Sequence, residues 1–231
     1  MPLILAIETA TEICSVSLIC DGEIIAMRES EGSNEHSALL ASFIDEVMKE
    51  TGFQFHQLNA VAVSKGPGSY TGLRIGVSTA KGLCYAINKP LISVGTLEAM
   101  AFQVVDDQII STDDILLCPM IDARRMEVYM AVFNSNMSEF SSVKAEIIDE
   151  NSFSGIEKKI LIFGNGAEKC TSVLADNDKI IFLPDVKASA VSVAKLAVEK
   201  FRKALFEDPA YFEPFYLKDF VAGIRKVKGL N

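Results

Sequence analysis

Tryptophan is absent from this sequence, histidine occurs twice, and no two cysteines stand as C-x-x-C. Each lack excludes a chemistry. A catalytic zinc site takes about three protein ligands and an open position. His36 and His56 are too far apart for a helical pair, and no H-E-x-x-H occurs, so no metal is expected. His36 reads as an exposed first-turn residue and His56 as a loop residue. No G-x-S-x-G marks a hydrolase elbow. The cysteine count, five, is odd, which suits buried free thiols in a reducing compartment better than a disulfide framework.

Basic residues are in deficit: 22 Lys and Arg stand against 31 Asp and Glu, for a net charge of -9. Phosphate backbones are held by Lys and Arg that release counterions. The chain is therefore not expected to hold nucleic acid tightly alone; any contact would be local, through Arg225, Lys226 and Lys228 in the tail. No run reaches the ~18 apolar residues of a membrane span. The opening MPLILAIETA carries no basic region and is interrupted by Glu8, so it reads as a first strand and not as a signal peptide. Nothing that spans a membrane is expected.

What is present is apolar. The 231 residues are 49% hydrophobic, with a mean hydropathy of +0.26. That is enough for a sizeable core and leaves some surface for a partner. Strands are read at Leu3–Ile7, Cys14–Cys20 and Glu23–Arg28, the last two joined by an Asp21-Gly22 hairpin turn. Ser33 or Asn34 can cap a helix running to about Glu50 and stopped by Gly52. Strand Asn59–Ser64, helix Leu73–Ile87, strand Leu91–Val94 and a helix Leu97–Val105 capped by Thr96 follow. Alternation of this kind implies an α/β layer. After a polar boundary come strands Ile115–Ile121 and Met126–Phe133, joined by DARR. Strands Lys159–Phe163 and Ile180–Leu183 precede an amphipathic helix, Ser189–Leu205. The tail EDPAYFEPFYLKDF reads as an extended strap. The opening hairpin and the DARR hairpin could each begin one of two related halves.

Five of the 14 glycines lie in SKGPGSYTGLRIGVSTAKG, residues 64–82. One reading is a phosphate cradle, since a glycine-rich turn before a helix can aim N–H groups at an anion. Yet KGPGSYTG is neither a P-loop nor a dinucleotide fingerprint, and Pro67 removes one donor. Gly66, Pro67 and Gly68 read instead as a structural turn. The other reading is close packing. Gly72, Gly76 and Ala80 recur every four residues and leave one helix side nearly bare, against which another helix, of this chain or another, can lie.

Other candidates are thinner. Glu8 could serve a nucleotide, or be a carboxylate bonded to Thr9 or Thr11. Arg124 and Arg125 could bind an anion, or be a solvated turn. GNGAEK at 164–169 reads as a weak anion-binding turn, and Ser69 as a turn serine.

ILAIETATEICSVSL at 4–18, HSALL at 36–40, GPGSYTGLRIG at 66–76 and DARRMEVY at 122–129 resemble the TsaB (YeaZ) family, with weaker matches at FGNGAEK and PFYLKDF. The family usually has Phe at position 70 and often Arg at position 218. The resemblance implies a two-lobed actin-like ATPase (ASKHA, ribonuclease H-like) α/β fold with a shortened second lobe, with lobes at 1–105 and 106–231 and the last segment docking back on the first.

It also implies a non-catalytic, cofactor-free scaffold that binds the paralogue TsaD and works with TsaE through that complex. TsaC or a relative would supply threonylcarbamoyl-adenylate, for threonylcarbamoylation of adenosine 37 in tRNAs reading ANN codons. Contact with tRNA would be indirect, and a homodimer is possible. The catalytic paralogue carries two histidines where this chain reads SVGTLEAMAF. The partner interface is expected on Leu39, Leu40, Phe43, Val47, Gly72, Leu73, Gly76, Ala80 and Leu83. The competing reading is a nucleotide-dependent transferase or ATPase acting alone, with contacts from Glu8, Thr9 and Thr11.

Overall fold

The computed structural model of the chain describes residues 2–32, 36–109 and 114–218. The expected caps Ser33 and Asn34, and the basic residues Arg225, Lys226 and Lys228, lie outside them. β1 (Leu3–Glu8), β2 (Ile13–Cys20), β3 (Glu23–Glu31), β4 (Ala60–Gly66) and β5 (Leu91–Gly95) form one sheet in the order β3-β2-β1-β4-β5. β1 runs antiparallel to β2 and parallel to β4. All six residues of β1 are buried, as a strand covered on both faces requires. Asp21 (φ 57°) and Gly22 (φ 92°) both adopt positive φ in the β2–β3 hairpin, the conformation that Asp-Gly favours.

A second sheet repeats this order. β6 (Ile115–Asp122), β7 (Glu127–Asn134), β8 (Glu139–Ile147), β9 (Lys159–Phe163) and β10 (Ile180–Leu183) are arranged β10-β9-β6-β7-β8. Again an antiparallel meander is followed by two parallel strands. The halves differ in their helices. α1 (His36–Thr51) and α2 (Tyr70–Ile87) fill the crossovers of the first sheet. The second has only a short 3-10 turn, Glu168–Cys170, between β9 and β10. The α/β, actin-like arrangement expected from the sequence is the one found.

Each half lends its closing helix to the other. α3 (Thr96–Asp106) follows β5 but packs Leu97, Met100, Ala101 and Val104 against Leu117, Ile121, Ala131 and Phe163 of the second sheet. α4 (Ala190–Arg202) follows β10 but lays Ala190, Val193, Ala194 and Ala197 on Ile4, Ala6, Ala62 and Ile92 of the first. Alanines on both surfaces let helix and sheet approach closely. Ser17 Oγ donates to Ala190 O at 2.8 Å, and Ala190 N donates to Ser15 Oγ at 3.1 Å. Beyond α4, Glu207 bridges to Leu91, and Phe215 N donates to Lys65 O at 2.7 Å.

Four sequence expectations change. β8 was not anticipated. α2 starts at Tyr70 and not Leu73, because Ser69 caps it by accepting from Gly72 N at 3.3 Å. Gly95, not Thr96, is the N-cap of α3; Thr96 lies inside the helix, and Gly95 N donates to Glu98 Oε2. His36 is buried, not exposed. Its Nε2 lies 2.9 Å from Thr11 O and 3.1 Å from Ile13 O; both are carbonyls, so this nitrogen carries the proton.

Candidate functional site

The glycine-rich turn connects β4 to α2 and is closed by the chain itself. A Cβ at Gly68 would fall 2.8 Å from Ala10 Cβ, and one at Gly72 or Gly76 would collide with Thr9 O or Thr9 Oγ1. Thr9 Oγ1 in turn donates to Gly72 O at 2.8 Å. Ser69 N donates to Ala10 O at 2.6 Å. The glycines therefore make room for the β1–β2 turn, residues 9–10, which packs where a phosphate cradle would open. This corrects the expected helix–helix contact: the bare side of α2 faces a strand end, not a second helix. Gly66, at φ 112°, fits a conformation that disfavours side chains, and there Phe215 O comes within 2.8 Å of a built Cβ.

Of the residues expected at a partner interface, Leu40, Val47, Gly72, Leu73, Gly76 and Ala80 are buried in this chain's own interior. Leu39, Phe43 and Leu83 are half-buried. They pack at the margin of the core between α1 and α2.

Glu8 ends β1 with no exposed surface. Its Oε1 accepts from Ala10 N at 2.5 Å, not from the Thr9 or Thr11 hydroxyl. Thr11 Oγ1 accepts from Ile13 N at 3.3 Å instead. Burial pushes the Glu8 carboxyl up to about 7, against the Ala10 N–H, the nearby Ser64 hydroxyl and the Thr9 N–H, which favour the charged form. Glu8 Oε2 and Ser64 Oγ nonetheless miss hydrogen-bond geometry, and neither finds another protein partner. Thr9 is sealed as well, while Thr11 lines a cleft between the halves. A nucleotide could reach Thr11 in this conformation, but not Glu8 or Thr9.

Across that cleft, several donors of the GNG turn are engaged within the protein. Gly166 N donates to Met120 O, Ala167 N to Gly164 O, and Asn165 Nδ2 to Glu12 Oε2. Asn165 Oδ1 accepts from Asp122 N at 3.0 Å. This turn, read as a weak anion site, instead ties the halves together. Arg124 and Arg125 are exposed and take positive φ (71° and 52°) in the β6–β7 turn, where Arg124 N donates to Asp122 Oδ1. Lys169 pairs with Asp122, and Lys218 with Glu127. Sequence reasoning missed this anchoring. Its signal, Asp122 and Glu127 flanking the arginines, was legible only as charge.

Catalytic groups are scarce. The five cysteines are free, and four of them are buried; burial pushes the Cys14 and Cys84 thiols up to about 11. Among the described residues no group of three or more His, Cys, Asp or Glu could hold a metal. No described helix is long and apolar enough to cross a membrane.

Comparison with known proteins agrees with this architecture. Residues 30–226 match the family model of TsaD, tRNA N6-adenosine threonylcarbamoyltransferase. The tRNA threonylcarbamoyladenosine biosynthesis protein TsaB of Escherichia coli is 30% identical over 233 residues, which cover 95% of this chain and 96% of that one. YeaZ from Pseudomonas aeruginosa superposes with a TM-score of 0.82 at 22% identity, over 94% of this chain and 100% of that one. An ADPNP-bound dehydratase activator from Clostridium difficile shares the fold alone, with a TM-score of 0.51 at 7% identity, over 88% of this chain and 97% of that one. The near end-to-end match to TsaB, on a fold shared with YeaZ, settles the assignment: the chain belongs to the TsaB (YeaZ) family.

Proposed function

We propose that this chain is a non-catalytic scaffold subunit that binds TsaD and supports threonylcarbamoylation of adenosine 37 in tRNAs reading ANN codons. The observation that carries this reading is α3. Where the catalytic paralogue has two histidines, this helix presents Thr96, Leu97, Ala99, Met100 and Ala101, all buried. Thioether and methyl groups there pack against the second sheet and offer nothing a hard or borderline metal would take. The match to the TsaD model supports a chain built on the same plan as its partner.

In this reading residues 1–105 form the lobe that meets TsaD, and 106–231 form the shortened lobe. The docking surface is the α1–α2 margin: Leu39, Phe43 and Leu83, with Leu40, Val47, Gly72, Leu73, Gly76 and Ala80 supporting it from beneath. The same margin would serve a homodimer, so self-association and TsaD binding would compete. TsaE joins through the TsaB–TsaD pair, tRNA is met indirectly, and the work is done in the cytoplasm without a cofactor of its own.

The test supplies threonylcarbamoyl-adenylate and tRNA to the pure chain, with and without TsaD. Modified tRNA is expected only when TsaD is present. Product above background from the chain alone would overturn the scaffold reading.

A further inference from the structure

A cavity of about 460 Å³ lies between the halves, within the ~300–1,000 Å³ range of small-molecule sites. Its floor is apolar. Met100, Ala167, Val186 and Ala188 line it and are themselves buried. A Cβ at Gly164 would collide with Met120 O and with Met100 Cε, so the glycine lets its turn pack directly on β6 and Met100.

The charge around the floor is one-sided. Glu12, Glu168 and Asp185 line the cavity, and Lys187 is the one basic side chain among the described residues that line it. Even if Lys187 offsets one carboxylate, two remain. Three donors of the nearby turn are engaged: Gly166 N, Ala167 N and Asn165 Nδ2 have acceptors within the protein. A nucleotide triphosphate would bring its charge against these carboxylates. An apolar body carrying an ammonium would place carbon on the floor and its charge beside the glutamates.

We infer that the cleft between the halves is a binding site for a compact organic cation, an apolar body bearing one ammonium group. This site is separate from the α1–α2 margin, and the inference does not depend on the scaffold reading.

The probe is 4-phenylbutylamine, compared with 4-phenylbutyrate and with ATP. The readout is the methyl resonance of Met100 in protein labelled at the methionine methyls, assigned through Met100→Leu. The amine is expected to shift this resonance saturably, about tenfold more tightly than the carboxylate. That is the size of a few unit charges acting over several ångströms at a partly wetted site. Glu168→Gln and Asp185→Asn, both at exposed positions, are expected to weaken the amine about threefold each and to narrow its lead over the carboxylate. Equal binding of amine and carboxylate would overturn the charge assignment. A shift from ATP with none from the amine would make the cleft an anion site, and no shift from any probe would show that it takes no ligand of this size.

Discussion

Thr9 Oγ1 and Gly76 are packed so closely that no β-carbon fits between them. The hydroxyl cannot swing away freely, because it donates to Gly72 O. Gly76→Ala is therefore expected to cost about 1–3 kcal/mol by overpacking, outweighing the gain in helix propensity of somewhat under ~1 kcal/mol. The loss should appear as a lowered melting temperature, before any effect on a partner. Gly72→Ala should cost more, since its β-carbon meets the Thr9 main-chain carbonyl. Thr9→Ala should recover stability in the Gly76→Ala background and not in Gly72→Ala. Equal recovery in both, read by urea titration, would refute this geometry.

Glu8 sets a pH dependence of defined sign. Its folded pKa is raised from 4.5 to about 7, so the folded chain holds a proton that the unfolded chain has released. The favourable contribution is full below the unfolded pKa and is lost as pH rises through about 7, with a limiting size of ~3 kcal/mol. Glu8→Gln keeps an acceptor for Ala10 N and cannot ionise. Stability of the variant should vary less between about pH 5 and 8 and exceed that of the parent at the upper end. Parallel profiles for the two proteins would show that Glu8 is not the titrating group.

The docking proposal predicts that Leu39→Glu and Leu83→Glu weaken TsaD binding. Both side chains are half-buried, so melting of the same variants separates a lost contact from a lost fold. A pull-down and light scattering on the same preparations would measure both effects. Wild-type binding by both variants would place the interface elsewhere.

The tail holds the β5 edge of the first sheet. Glu207 pairs with Leu91, Ser93 Oγ donates to Glu207 Oε1 at 2.5 Å, and Lys81 Nζ donates to Phe212 O at 2.8 Å. Removing residues 205–231 would uncover unpaired strand groups, which template pairing with other chains. The truncated protein is expected to self-associate with rising concentration in light scattering, whereas a monodisperse product would show that the edge needs no cover.

Local chemistry was legible in the sequence. Asp21-Gly22 announced its hairpin, and the free thiols followed from cysteine spacing. Gly72, Gly76 and Ala80 announced a close approach, but not what approaches. The neighbour is Thr9, 63 positions away from the Gly72 carbonyl it bonds, and no periodicity carries that distance. β8 escaped because an edge strand with one wet face, EFSSVKAEI, lacks an apolar run. His36 escaped because its partners are main-chain carbonyls, invisible to residue type.

The exchange of α3 and α4 has a mechanical outcome. A protease nick between α3 and β6 would leave two pieces that stay together, because each piece keeps part of the other's interior. Separated, the first piece would bare Ile4, Ala62 and Ile92 where α4 had lain, and the second would lose the cover of Leu97 and Met100. Two sheets of repeated order should therefore melt in one transition, as a single domain does.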